Sequence, residues 1–354
     1  MQALASEAPL EPSALAHQPI PDHLIFVWFG QSLPAFARLS ITSALQHNPA
    51  ARVSLFHDAS MSALRARGEG AGLGDLAAEP RLTLREIDVE RSLQRVSEVA
   101  AAVPGPPIES QRLLRVWRAL RAPAARSNLV RLLALFTEGG IYLDTDTLTL
   151  RSLSPLRSRS AFCGLEHILW PREALRERRA RAWVRGTALT GARYVLGLLP
   201  YGYRAHQQLL PWYHRAVNNA VLGFAPGHAL LRRALQRITE LDPREWTRRF
   251  RLGTHLLQEL LRERELAPAP GDDLALLSAE HFYPLGPVIS RHYFRSYPDA
   301  AALARELLGE QTFVVHWYAS VSNLRPLGEA FVRQRADRVL FAHLCQRVLD
   351  AGAP

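Results

Sequence analysis

Two aspartates one residue apart, Asp144 and Asp146, close the apolar run Ile141-Tyr142-Leu143. Carboxylates at i and i+2 just past the end of a strand can turn their oxygens toward one point. A hard divalent cation, Mg2+ or Mn2+, prefers such oxygen ligands and keeps phosphate oxygens among its remaining ones. The chemistry that suits this pair is the binding of such a cation together with the phosphate oxygens of a substrate. The same spacing also occurs in ordinary strand-end turns with solvated aspartates, so the neighbouring elements have to decide between the two.

Those elements are legible. In NLVRLLALF, residues 128–136, Leu129, Leu132, Leu133 and Phe136 recur at i, i+3, i+4 and i+7, which is one face of a helix. Ser127 is its expected N-cap and Gly139-Gly140 its stop. A strand begins at once and delivers the acidic pair at its carboxyl end, where open parallel sheets bind ligands. LIFVWF, 24–29, is a continuous apolar run closed by Gly30 and reads as a strand buried on both faces. A helix from about Ala35 to Gln46 and strands in 51–58 and 81–88 follow, the opening of a parallel α/β sheet. Residues 101–125 hold four prolines around a basic piece and carry no assigned element. Further on, 220–224 reads as a strand, 312–318 as another buried strand, and the last 28 or so residues as one amphipathic helix through Phe331, Val339, Leu340, Leu344 and Val348.

Composition narrows the chemistry further. The chain has 354 residues with 43 basic against 33 acidic side chains, a formal charge of +10, and every basic residue is arginine. Without lysine there is no Schiff base, no phosphate-loop lysine and no Ser-Lys nucleophile pair. We read the lysine-free composition as a coding bias toward G and C, which lysine-rich neighbouring genes would contradict. Cys163 and Cys345 are too few for a disulfide framework or a cysteine zinc site and are expected as buried thiols. The N-terminus does not read as a signal peptide, and no apolar run of about 18 residues appears. The chain is expected in the cytoplasm, lying at most on the inner face of a membrane.

The stretch ARSNLVRLLALFTEGGIYLDTDT, 125–147, resembles the glycosyltransferases with a D-x-D sugar-binding region (family 32). That group includes yeast mannosyltransferase-like and α-1,4-galactosyltransferase-like enzymes and, more distantly, the large clostridial glucosylating toxins. Their pattern, a Ser-Asp-x-x-Arg helix followed by Gly-Gly-x-Tyr-x-Asp-x-Asp, is matched by Ser127, Asn128, Arg131, Gly139, Gly140, Tyr142, Asp144 and Asp146. Asn128 stands where the family usually has aspartate, which exchanges a charged contact to the donor sugar for a neutral one. IPDHLIFVWFG, 20–30, is similar to the family's first strand and puts Trp28 at the residue that lies against the nucleotide base. NNAVLGFAPGHALL, 218–231, is similar to its asparagine-bearing strand, with Asn218 and Asn219. VVHWYASVSN, 314–323, is similar to its C-terminal His-Trp strand.

The resemblance implies a GT-A-type α/β fold, a Rossmann-like mixed sheet flanked by helices, with a catalytic domain over 20–325. A disordered lead would occupy 1–19, helical insertions about 91–125 and 165–215, and the C-terminal helix 326–354. It implies a retaining, metal-dependent transfer of a hexose from a UDP- or GDP-linked sugar to a hydroxyl of a glycan, lipid or small-molecule acceptor. Asp144, Asp146 and His316 would hold Mn2+ or Mg2+, and Arg131 would reach the donor sugar or phosphate. Trp28, Asn128, Tyr142, Asn218 and Asn219 would line the donor site, and the departing phosphate would take the acceptor's proton. The residues show no second carboxylate assignable as a nucleophile.

Two other readings compete. A phosphatase with an aspartyl nucleophile usually has Thr or Val two positions past its second aspartate, where this chain has Leu148, and commonly uses a lysine. An arginine-rich protein binding anionic glycan, lipid or nucleic acid would use Arg172, Arg176, Arg178, Arg179, Arg181 and Arg185. These are interleaved with Glu173 and Glu177, the pattern of a solvated, salt-bridged face, and no nucleic-acid partner is expected. Oligomeric state is not written in any motif.

Overall fold

The strand β1 (His23–Trp28) alternates between two cores: Leu24 and Phe26 pack on one face of the sheet, Ile25 and Val27 on the other. A strand buried on both faces needs covering layers on both sides, and the chain supplies them as helices. The computed structural model describes residues 18–66, 72–169, 180–266, 273–319 and 328–351. Its main sheet has seven strands in the order β3 (Leu82–Glu86), β2 (Arg52–His57), β1, β4 (Gly140–Leu143), β7 (His214–Phe224), β6 (Ala161–Ile168) and β8 (Ala275–Leu277). Pairings are parallel from β3 to β4 and between β6 and β8, while β7 runs against both of its neighbours. This is the expected mixed α/β sheet flanked by helices.

Helix Pro123–Glu138 lies on the β1–β4 face, burying Leu129, Leu132, Leu133 and Phe136 in one core with Leu231 and Leu235 of helix Ala229–Glu240. It starts a turn earlier than a Ser127 cap predicts. Ala122 is its N-cap, Pro123 takes the first turn, and Ser127 is a full turn inside. Proline's fixed φ and missing N–H suit that first turn, so the helix needs no serine cap there. At the other end Gly139 and Gly140 take φ of +63° and +122°. A Cβ on Gly140 would come within 2.4 Å of the His23 carbonyl oxygen, so only glycine allows β4 to enter beside β1.

A second, two-stranded sheet joins β5 (Thr147–Thr149) to β9 (Val314–His316), antiparallel, with Thr147 opposite His316. The buried strand expected over 312–318 is therefore only three residues long, because the chain leaves the ladder at Trp317 and Tyr318 takes a left-handed φ of +57°. The unassigned 101–125 region completes helix Val89–Ala102 and forms helix Ser110–Ala119 before the site helix begins. The expected single C-terminal helix is two, Glu329–Arg335 and Leu340–Ala351. Between them the carbonyls of Asp337 and Arg338 turn aside to accept from the backbone N–H groups of Ala300 and Tyr297. Both cysteines are buried and free.

The insertion between β6 and β7 holds helices Ala180–Leu198 and Gly202–Leu209. Arg181 and Arg185 lie on the first of them. Arg172, Arg176, Arg178 and Arg179, like nearly all of the expected lead 1–19, lie outside the described residues. Among the described residues no helix is long and apolar enough to cross a membrane.

Candidate active site

The acidic pair sits where the sheet changes direction of growth: β1 leads back to β2 on one side and pairs with β4 on the other, and Asp144 directly follows β4. Ligands bind in open α/β sheets at such switch points, beyond the carboxyl ends of the strands. A cavity of about 1170 Å3 opens here, lined among others by Trp28, Asn128, Arg131, Asp144, Asp146 and His316.

The β5–β9 ladder brings His316 to Asp146. The His316 Nε2 lies 3.1 Å from the Asp146 Oδ1, and the backbone N–H of Ala319 donates to Oδ2 at 2.9 Å. Burial alone would lower the His316 pKa, but the Asp146 carboxylate outweighs it and holds the imidazole above its ordinary 6.5. Conversely, burial raises Asp146 while the His316 charge and hydrogen bond pull it down, and the net direction is down. Ligand atoms of Asp144, Asp146 and His316 all lie within 4.8 Å of one another. Two carboxylates and an imidazole make a donor set that suits Mg2+ or Mn2+. Because metal binding requires a neutral imidazole, we predict that Mn2+ affinity climbs as pH rises through the elevated His316 range. Titrations of Mn2+ across neutral pH check this, and a flat profile would remove His316 from the ligand set.

Asp144 is braced from behind. Its Oδ1 accepts from the Tyr142 hydroxyl at 2.6 Å and from the Arg131 Nη2 at 2.9 Å. Arg131 is buried, its guanidinium carbon 4.1 Å from the centroid of the Tyr142 ring, and its other Nη donates to the Asn219 carbonyl. Burial pushes the Tyr142 hydroxyl far above its ordinary value, so it remains a donor to the carboxylate. Two expectations change here. Tyr142, expected in the donor site, is buried behind Asp144 and away from the cavity lining. Arg131, expected to reach the donor, spends its fork on Asp144 and Asn219; its three-residue spacing from Asn128 left open which way the guanidinium points.

The remaining expected residues do converge. Asn128 accepts from the Asn219 side-chain amide at 2.9 Å, and both line the cavity. Trp28, at the end of β1, is partly buried against the core and partly in the cavity, and its indole Nε1 finds no partner among the described residues. Asn218 is buried and donates to Glu166 Oε2 at 2.7 Å.

Glu166 is the carboxyl group that sequence reasoning missed. It lies on β6 with only 8% of its surface exposed, lines the cavity, and receives the Tyr318 hydroxyl at 2.9 Å on the same Oε2. Burial pushes it above the usual carboxylate range, against the pull of the Asn218 and Tyr318 hydrogen bonds. With both of these contacts on Oε2, Oε1 is left for the cavity. A glutamate inside AFCGLEHI, a strand that apart from His167 is otherwise apolar, was the available signal. Among the described residues the two non-glycine residues with left-handed φ, Phe250 at +62° and Tyr318 at +57°, both line this cavity. Such backbone costs about 1–3 kcal/mol and clusters at functional sites.

Residues 34–163 match the family described as glycosyltransferase sugar-binding region containing DXD motif. The match supports glycosyltransferase activity and agrees with the resemblance carried by residues 125–147. No curated protein sequence matches the chain. Among solved structures the chain is similar to the PaToxG glycosyltransferase, at 14% identity over 73% of this chain and 72% of that one, TM-score 0.41. It is also similar to the galactosyltransferase LgtC in complex with donor and acceptor sugar analogs, at 15% identity over 93% and 94%, TM-score 0.33. Mouse xyloside xylosyltransferase 1 is a third, at 13% identity over 84% and 98%, TM-score 0.39.

Proposed function

We propose that this chain, whose residues 34–163 match a DXD-containing sugar-binding region, is a metal-dependent hexosyltransferase using a nucleotide sugar. The donor is UDP- or GDP-linked and the acceptor is a hydroxyl of a glycan, lipid or small molecule. The reaction retains the anomeric configuration, and the protein works in the cytoplasm. The observation that carries the reading is the convergence of Asp144, Asp146 and His316 within 4.8 Å beside a cavity large enough for a nucleotide sugar.

A divalent cation held by these three side chains would supply Lewis-acid neutralisation of charge on the diphosphate leaving group. The chain's own residues do the rest. Arg131 and Tyr142 fix one oxygen of Asp144 and leave its other oxygen for a ligand. Trp28 offers a ring at the cavity wall, suited to the flat nucleotide base. Asn128 and Asn219, joined to each other, present amide groups to sugar hydroxyls. Glu166, fixed through Oε2, offers Oε1 to a hydroxyl or to positive character developing on the sugar.

Release of nucleoside diphosphate from a panel of UDP- and GDP-hexoses, with and without Mn2+, tests the reading. We expect release from one or few donors and only with metal. Equal release without metal, or none from any donor, would contradict it.

A further inference from the structure

Most helices of a soluble protein turn their apolar stripe inward. Helix Ala180–Leu198, in the insertion between β6 and β7, turns one outward. Val184, Ala188, Gly191, Tyr194, Val195 and Leu198 follow one another at intervals of one, three or four residues, share one face, and are exposed, with no charged side chain among them. The opposite side buries Leu189 and Leu196. A Cβ on Gly191 would meet nothing within 4 Å, so this face is open. Among the described residues, eight of the ten exposed large apolar side chains fall between positions 183 and 212. Val184 at 71%, Leu198 at 67% and Tyr194 at 64% are the most exposed of them.

The surrounding charge says what covers this face. Residues 180–215 contain five arginines and no acidic residue, and of the five Arg204 is paired with Glu306 from outside the segment. Arg185 donates to the Trp212 carbonyl, tying that exposed indole beside the helix, and Arg295 donates to the Gly197 carbonyl at its far end. An apolar stripe edged by Trp, Tyr and arginine is the makeup of a helix that lies in the plane of a bilayer among anionic headgroups. Its 19 residues span about 28 Å at the standard rise, and the helix is not apolar enough to cross. A second copy fits the face poorly, because a two-fold contact would oppose two acid-free, arginine-bearing segments.

We propose that the exposed face of helix Ala180–Leu198, with Trp183, Tyr201 and Trp212 around it, docks the protein on an anionic lipid surface. Ile168 and Arg215, the strand ends from which the insertion leaves and to which it returns, line the active-site cavity, so docking sets that cavity beside the bilayer.

Co-sedimentation of the full chain with phosphatidylcholine vesicles, with and without phosphatidylglycerol, tests this. Expected are binding to the anionic vesicles only, weakening with salt, and at least a tenfold loss in the triple variant Val184→Ser, Val195→Ser, Leu198→Ser. That variant keeps every charge, so undiminished binding would mean adsorption by charge alone and would overturn the proposal. So would failure of the wild type to bind, including the case in which the triple variant merely abolishes self-association in sedimentation velocity. All three positions are exposed and the Tm is expected to hold; Val184→Ser alone serves if the triple variant does not fold.

Discussion

Asp146→Asn lowers metal-dependent release of nucleoside diphosphate by about a hundredfold or more, the usual cost of losing one group that stabilises transition-state charge. The substitution keeps the side chain's size and an oxygen to accept the Ala319 N–H, so the β5–β9 turn is preserved. What it removes is one of two carboxylates in a three-ligand cluster and the charge that holds the His316 pKa up. Metal affinity falls along with turnover, while the circular dichroism spectrum stays that of the wild type. Near-normal release by this variant in Mn2+ would mean that the aspartate belongs to an ordinary strand-end turn.

Arg131→Ala is expected to act on stability as well as activity. It leaves Asp144 without its ion partner, the Asn219 carbonyl without its donor and a void against the Tyr142 ring. Removing one member of a buried pair costs several kcal/mol; with Asp144 a quarter exposed, about 3 kcal/mol is a reasonable size. Urea unfolding measures this directly, and Arg131→Lys, which keeps the charge but loses the fork, should recover only part of it. An arginine serving the donor alone would give the reverse pattern, unchanged stability with weakened donor binding. That outcome would return Arg131 to the role its place in the motif first suggested.

How far these residues were readable follows from what a linear pattern encodes. The run through β1, the Gly-Gly stop and the acidic pair are local signals, so the switch point and Asp144/Asp146 were visible. His316 was visible only by resemblance, since the β5–β9 register that carries it to Asp146 spans 169 residues between Thr147 and its partner. Side-chain direction was the commonest loss. Tyr142 turns behind Asp144, and Arg131 turns back to the strand end, where Asp144 Oδ1 accepts from both and the Asn219 carbonyl accepts from Arg131. Glu166 stayed hidden because its partners, Asn218 and Tyr318, lie 52 and 152 residues away. The outward apolar stripe of helix Ala180–Leu198 shows a subtler limit. Periodicity reveals that a helix has an apolar face, but the packing of Leu189 and Leu196 decides which side is covered.

Thermal unfolding of the wild type and Asp146→Asn, each with UDP- and GDP-sugars and with or without Mn2+, tests most directly whether the acidic cluster and the nucleotide sugar form one site. A ligand that binds only the folded state raises Tm by mass action. A rise in the wild type that needs metal and donor together, and is absent in Asp146→Asn, is the predicted result. The same rise in Asp146→Asn, or in wild type without metal, would contradict it.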